Sequence, residues 1–151
     1  MFTRRDITIG IVCFVTGAAV LAFAQSAAKP LMQSTVFNWN DLKVSPTKVG
    51  ERRQVFDAPT VTLARIESHI TTINPGEVPH AAHQHPEEEL MILRKGTLEV
   101  VQAGQTNRVE AGGMIFCASG EMHGMRNIGT NRATYYVLKW FPNDLAKTTA
   151  K

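Results

Sequence analysis

Short runs of apolar and β-branched residues, each closed by a turn, follow one another from residue 61 to residue 142. The longest is residues 61–73, Val-Thr-Leu-Ala-Arg-Ile-Glu-Ser-His-Ile-Thr-Thr-Ile. It lacks glycine and proline and predicts a strand, which the Asn74-Pro75-Gly76 turn ends. After a loop to Pro86 the pattern predicts further strands over 89–93, 97–101, 106–110, 114–117 and 134–140. Lys95-Gly96, Ala103-Gly104-Gln105 and Ala111-Gly112-Gly113 are the turns between them, and Phe141-Pro142 stops the last. Side chains alternate across a strand. Glu89, Met91 and Leu93 therefore share one face, with Leu90 and Ile92 on the other. In the last strand Tyr136, Leu138 and Trp140 oppose Tyr135, Val137 and Lys139. No stretch beyond residue 24 has sustained helical periodicity with a cap, so the expectation is an all-β sandwich or barrel.

The chain before residue 61 divides in two. Residues 25–60 are expected to form an N-terminal arm with short strands, around Phe37-Asn38-Trp39 and Gln54-Val55-Phe56. Residues 1–24 read as a signal peptide. Arg4-Arg5 precede an apolar stretch of 18 residues, 7–24, and Ala22-Phe23-Ala24 is a small-x-small cleavage pattern. That length also suits a membrane anchor, the less favoured alternative. Thr3-Arg4-Arg5-Asp6-Ile7 resembles a twin-arginine export signal, although Ile7, Thr8 and Ile9 depart from its usual continuation. The protein is thus expected to be periplasmic or extracellular, and at a membrane only if this segment is retained. The expected organisation is signal 1–24, arm 25–60, barrel 61–141 and flexible tail 142–151.

A chain of 151 residues suits one domain, and 44% hydrophobic with 19% charged residues excludes a disordered tail. Sixteen basic against 13 acidic side chains give a formal net charge of +3 without a basic stripe, which speaks against a nucleic-acid partner. Cleavage after Ala24 removes Cys13 and leaves Cys117 alone, so no intramolecular disulfide is expected. Cys117, within the apolar run 114–118, reads as a buried thiol with no catalytic duty. The exposed sheet edges of such a domain favour a homodimer, with Phe37, Trp39, Val55 and Phe56 available to an arm.

The histidines carry the chemistry. Three of the five, His80, His83 and His85, fall within six positions. His83 and His85, two apart, point to one side of an extended segment. Glu89 follows across Pro86, where a turn can fold its carboxylate back toward the rings. Two neutral imidazoles and a carboxylate suit a borderline divalent metal. A solvated loop is the alternative for the histidines, and a surface charge run for Glu87-Glu88-Glu89. Against it, the apolar strand 90–93 starts right after Glu89 and carries that carboxylate toward a core, where it needs a partner.

These residues resemble the single-domain cupins of the cupin-2 kind. The first cupin motif is matched by Gly76, six residues, His83-Gln84-His85, three residues, Glu89, six residues and Gly96, one residue longer than usual before His83. The second is matched by Gly112, five residues, Ala118-Ser119-Gly120, two residues, His123, three residues and Asn127, with Ala118 in place of a proline. The resemblance implies a double-stranded β-helix, or jelly roll. It implies that His83, His85, Glu89 and His123 converge on one divalent metal, with Mn or Fe preferred and Zn, Ni or Cu also suited. Candidate pocket-lining residues are His80, Met91, Phe116 and Tyr136; His69, mid-strand, is read as having no role. The expected function is an exported metal-dependent enzyme acting on a small polar metabolite by oxidation, decarboxylation, isomerisation or amidohydrolysis. The alternative is a non-catalytic, metal-dependent module binding a small molecule or sugar, because one fold hosts many functions.

Overall fold

The computed structural model describes residues 29–143; the expected signal, 1–24, and most of the expected tail lie outside them. A single 3-10 turn, Trp39–Asp41, precedes nine strands. They are β1 (Val44–Thr47), β2 (Gly50–Ala58), β3 (Leu63–Ile73), β4 (Glu88–Lys95), β5 (Thr97–Gln102), β6 (Gln105–Glu110), β7 (Met114–Cys117), β8 (His123–Asn127) and β9 (Ala133–Pro142). One sheet has the order β1-β2-β3-β9-β4-β7 and the other β6-β5-β8. All pairings are antiparallel. No helix among the described residues is long and apolar enough to cross a membrane.

The core lies between the two sheets, in the jelly-roll arrangement expected. Ile73, Met91, Leu93, Ile115, Cys117, Tyr135 and Val137 come from the larger sheet; Leu98, Val100 and Met125 come from the smaller. Burying a side chain of this size stabilises the fold by about 1.5–3 kcal/mol. On β4 the alternation holds: Glu89, Met91 and Leu93 are buried and Leu90 and Ile92 only partly so. At the β4–β5 turn Gly96 has φ +95°, and a Cβ there would lie 2.6 Å from the Ala133 Cα. Both the backbone conformation and the contact require glycine.

Four elements differ from expectation. β8 was not foreseen as a strand and becomes one by pairing with β5. Residues 37–39 form no strand: they lead into the 3-10 turn, where Phe37 packs on Phe56 with ring centroids 5.5 Å apart. Trp39 lies between the guanidinium groups of Arg53 and Arg94, at 4.5 and 4.2 Å from its ring centroid. The aromatic residues of this segment therefore pack on their own chain. β2 is nine residues long, paired with β3 and bulged at Val55. Its charged side chains, which hide it as a strand, find partners on the sheet: Arg53 with Glu51, Arg52 with the buried Glu67. Finally, β9 continues through Phe141 and Pro142, since proline is tolerated at a strand end.

Cys117 is fully buried, and burial, with the Glu89 and Glu121 charges adding to it, pushes its thiol up to about 12. The thiolate that reacts is thus scarce at neutral pH. Native protein treated with a thiol reagent at neutral pH should carry no label at Cys117 by mass mapping, whereas denatured protein labels at once. Cys117→Ala should keep the fold and any activity. Prompt labelling of Cys117 in native protein would contradict its burial.

Candidate metal centre

Two loops and the ends of two strands build the site. His83 lies in the loop between β3 and β4 and forms an isolated antiparallel bridge with His123, the first residue of β8. Each backbone N–H of the pair donates to the carbonyl of the other at 2.9 Å. The bridge is close because residue 124 is glycine: a Cβ there would stand 3.0 Å from the Ala82 Cβ. The loop before β8 is tied to the His85 segment as well. Gly120 N–H donates to the His85 carbonyl at 2.8 Å, and Ser119 Oγ–H to the Pro86 carbonyl at 2.7 Å. Residues forty positions apart in sequence are so held in one place.

The three rings face one another, with centroids 4.7–5.3 Å apart. One ring nitrogen from each of His83, His85 and His123 lies within 4.8 Å of the others. His83 Nδ1, His85 Nε2 and His123 Nε2 are buried with no hydrogen-bond partner. Buried polar atoms are seldom left unpartnered, so three together fit a ligand that takes lone pairs. Two tautomers are set by carbonyls, which can only accept. His85 Nδ1–H donates to Glu87 O at 2.9 Å and His123 Nδ1–H to Glu121 O at 2.8 Å. Each therefore presents an Nε2 lone pair, the usual outer-shell arrangement for metal-binding imidazoles. Burial, followed by the neighbouring imidazoles and Lys139, holds the His83 pKa down and favours its neutral form. The donor set fits a borderline divalent cation.

Glu89 stands next to this set. Its Oε2 is 3.4 Å from His85 Nε2 and 2.9 Å from Lys139 Nζ. Glu89 and Lys139 are direct cross-strand partners on β4 and β9.

The His83 ring opens onto a cavity of about 320 Å³, whose wall also includes Glu89. Of the candidate lining residues, His80 and Met91 lie on it. Phe116 and Tyr136 do not. Phe116 lies on the outer face of β7, half exposed, and stacks on Trp140 with centroids 6.2 Å apart. On β9 the inward set is Tyr135, Val137 and Lys139, because each must share a face with its β4 partner, and Lys139 opposes the inward Glu89. Tyr136 belongs to the other set.

Sequence reasoning missed the wall residues His69 and Arg52, and it left Tyr135 and Lys139 on one of two alternative faces of the last strand. His69 Nδ1 is 2.8 Å from Glu67 Oε1, which also accepts from Arg52 at 2.9 Å and Gln54 at 3.0 Å. Burial raises the Glu67 carboxyl, but the His69 and Gln54 hydrogen bonds and the charges of His69 and Arg52 outweigh it and hold the pKa at about 2. The Glu67 carboxylate accepts the Nδ1–H of His69. The only available signal was alternation in β3, which puts His69 and Glu67 on one face.

Residues 69–139 match the family model for the cupin domain. The structure is similar to that of KdgF from Halomonas sp., at 16% identity and TM-score 0.61 over 75% of this chain and 99% of that one. An RmlC-like cupin from Shewanella frigidimarina matches at 12% identity and TM-score 0.60, over 76% and 96% of the two chains. A predicted oxalate decarboxylase from Thermotoga maritima matches at 16% identity and TM-score 0.58, over 71% and 99%. At such identities the likeness shows the shared fold. Among curated proteins none matches the chain.

Proposed function

Starting from a cupin fold with three unpartnered histidine nitrogens at a cavity wall, we propose that this protein is a metal-dependent enzyme acting on a small polar metabolite. The observation that carries the reading is the convergence of His83, His85 and His123, each with one buried ring nitrogen that lacks a hydrogen-bond partner, with His83 on the wall of a cavity of about 320 Å³. These three residues would hold one divalent ion, Mn or Fe(II) by preference. When bound, the ion supplies a Lewis acid that polarises a carboxylate or carbonyl.

The chain's own side chains supply the rest. Met91, Met125 and Val137 give the cavity an apolar floor that excludes water. Arg52 and Lys139 place two cations in its wall and orient a negatively polarised group. His69, its Nδ1 proton held by Glu67, can take or return a proton at Nε2. Oxidation, decarboxylation, isomerisation and amidohydrolysis of a small acid or carbonyl compound are the reaction classes this arrangement suits.

The test is a turnover screen of natively purified, metal-analysed protein. Small carboxylates, ureides, thiols, phenolics and sugars are offered with and without dioxygen. The reading expects turnover of one class by wild type and none by His123→Ala. His69→Gln should lower turnover with metal content unchanged. Metal-loaded wild type that turns over nothing, but carries a stoichiometric unreacted metabolite, would show a binding module instead.

A further inference from the structure

Away from the histidines, the cavity wall carries a row of hydrogen-bond donors. Arg52 on β2, Thr71 on β3 and Tyr135 on β9 are successive cross-strand partners, and all three line the cavity. Arg52 donates to Glu67 at 2.9 Å and to Gln54 at 3.1 Å, both times through Nη2. That leaves Nη1 and Nε–H for a further acceptor. Burial pushes the Tyr135 phenol well above its usual range, so it stays protonated and able to donate. The next inward pair, Val137 and Met91, is apolar, and Lys139 and Glu89 form the pair after it. A ligand that reaches from the histidine nitrogens beside Glu89 to the Arg52 row therefore crosses an apolar stretch.

The charges of the wall agree with this layout. Besides imidazoles, the charged residues described on it are Arg52, Lys139 and Glu89, and an ionised Glu67 pairs with Arg52. The two cations and two carboxylates cancel, wherever the Glu89 carboxylate points. A bound divalent ion thus leaves the cavity doubly positive, and a dianion balances it.

We infer that the substrate is a small dicarboxylate, with one carboxylate at the metal and the other on the row of Arg52, Thr71 and Tyr135. The inference rests on the metal-binding reading above and narrows its small polar metabolite to one class. Arg52 is the specificity-determining residue, because its planar fork matches a carboxylate. Two strands, β3 and β9, separate β2 from β4, so the backbones of Arg52 and Glu89 stand about 14 Å apart at about 4.8 Å per strand. Side chains and the metal close much of that span, and a diacid of about four to six carbons suits the remainder and the cavity of about 320 Å³.

The test is equilibrium binding of glutarate and of valerate, a monoacid of equal chain length, to the full chain. Wild type, Arg52→Gln and Arg52→Lys are compared after metal loading, with metal content measured first. Wild type should bind glutarate about tenfold or more tighter than valerate. Arg52→Gln should keep its metal, keep its valerate affinity within about threefold, and bind the two acids alike. Arg52→Lys keeps a cation beside Glu67 without the fork and should retain a smaller preference for glutarate; it reports on the row even where Arg52→Gln does not fold. Metal-loaded wild type that binds both acids alike would overturn the inference and leave the metal-binding reading standing. So would Arg52→Gln with the full preference for glutarate, since both carboxylates would then sit on the metal. Wild type that takes up no metal would overturn the metal-binding reading, and this inference with it.

Discussion

Replacing Asn127 by alanine is expected to lower the stability of the domain by about 3–5 kcal/mol, a large part of the 5–15 kcal/mol typical of a whole domain. Asn127 is fully buried. Its side-chain amide donates to the Ile73 carbonyl at 3.1 Å and to the Asn131 carbonyl at 2.9 Å, and its Oδ1 accepts from Gly129 N–H at 3.0 Å. Its backbone adds two bonds, to Gly76 N–H and from its own N–H to the Glu77 carbonyl. The residue thus joins the end of β3, the loop toward His83 and the loop between β8 and β9. Alanine removes three side-chain bonds: it leaves the buried Ile73 carbonyl unsatisfied, at about 1–3 kcal/mol, and takes a bond worth about 0.5–1.5 kcal/mol from each of the part-buried Gly129 and Asn131 groups. Asn127→Asp should also destabilise, because a carboxylate cannot donate to two carbonyls. Urea unfolding measures the effect. A loss below about 1 kcal/mol would mean that these bonds are replaced by water at little cost.

The second large effect is metal-linked. Removing divalent metal with a chelator should lower the melting temperature of wild type, and returning it should restore the value. A ligand that binds only the folded state at about a thousand times its Kd adds about 4 kcal/mol. His85→Ala and His123→Ala should lose this dependence and melt somewhat below metal-free wild type. Each also removes a ring and its Nδ1–H bond to the Glu87 or Glu121 carbonyl. Melting curves insensitive to metal in wild type, or equally sensitive in both variants, would contradict the assignment of these histidines.

The strands of the barrel were legible wherever β-branched runs met glycine turns, as at residues 63–73 and 97–110. The convergence of His83, His85 and His123 was legible as a resemblance in spacing, and its backbone basis, the bridge between His83 and His123, was not. β8 was hidden because His123-Gly124-Met125-Arg126-Asn127 has no β-branched residue; what makes it a strand is pairing with β5. β2 was foreseen only around residues 54–56 because its alternate charged residues suggest solvent, while partly buried ion pairs accommodate them. Phe116 shows the opposite failure. It is apolar yet sits on the outer face of β7, covered in part by Trp140, and hydrophobicity alone does not say which face of a short strand turns inward. The cavity wall depends on register: that Lys139 meets Glu89, and so Tyr135 rather than Tyr136 faces in, follows from the β4–β9 pairing and from no local pattern.

The most direct test of the metal centre is anomalous diffraction from crystals of natively purified protein, collected on both sides of the absorption edge of the metal that elemental analysis finds. The account predicts one peak per chain within bonding distance of His85 Nε2, His123 Nε2 and one ring nitrogen of His83. No peak among these nitrogens in metal-containing crystals, or a peak held elsewhere on the chain, would contradict it.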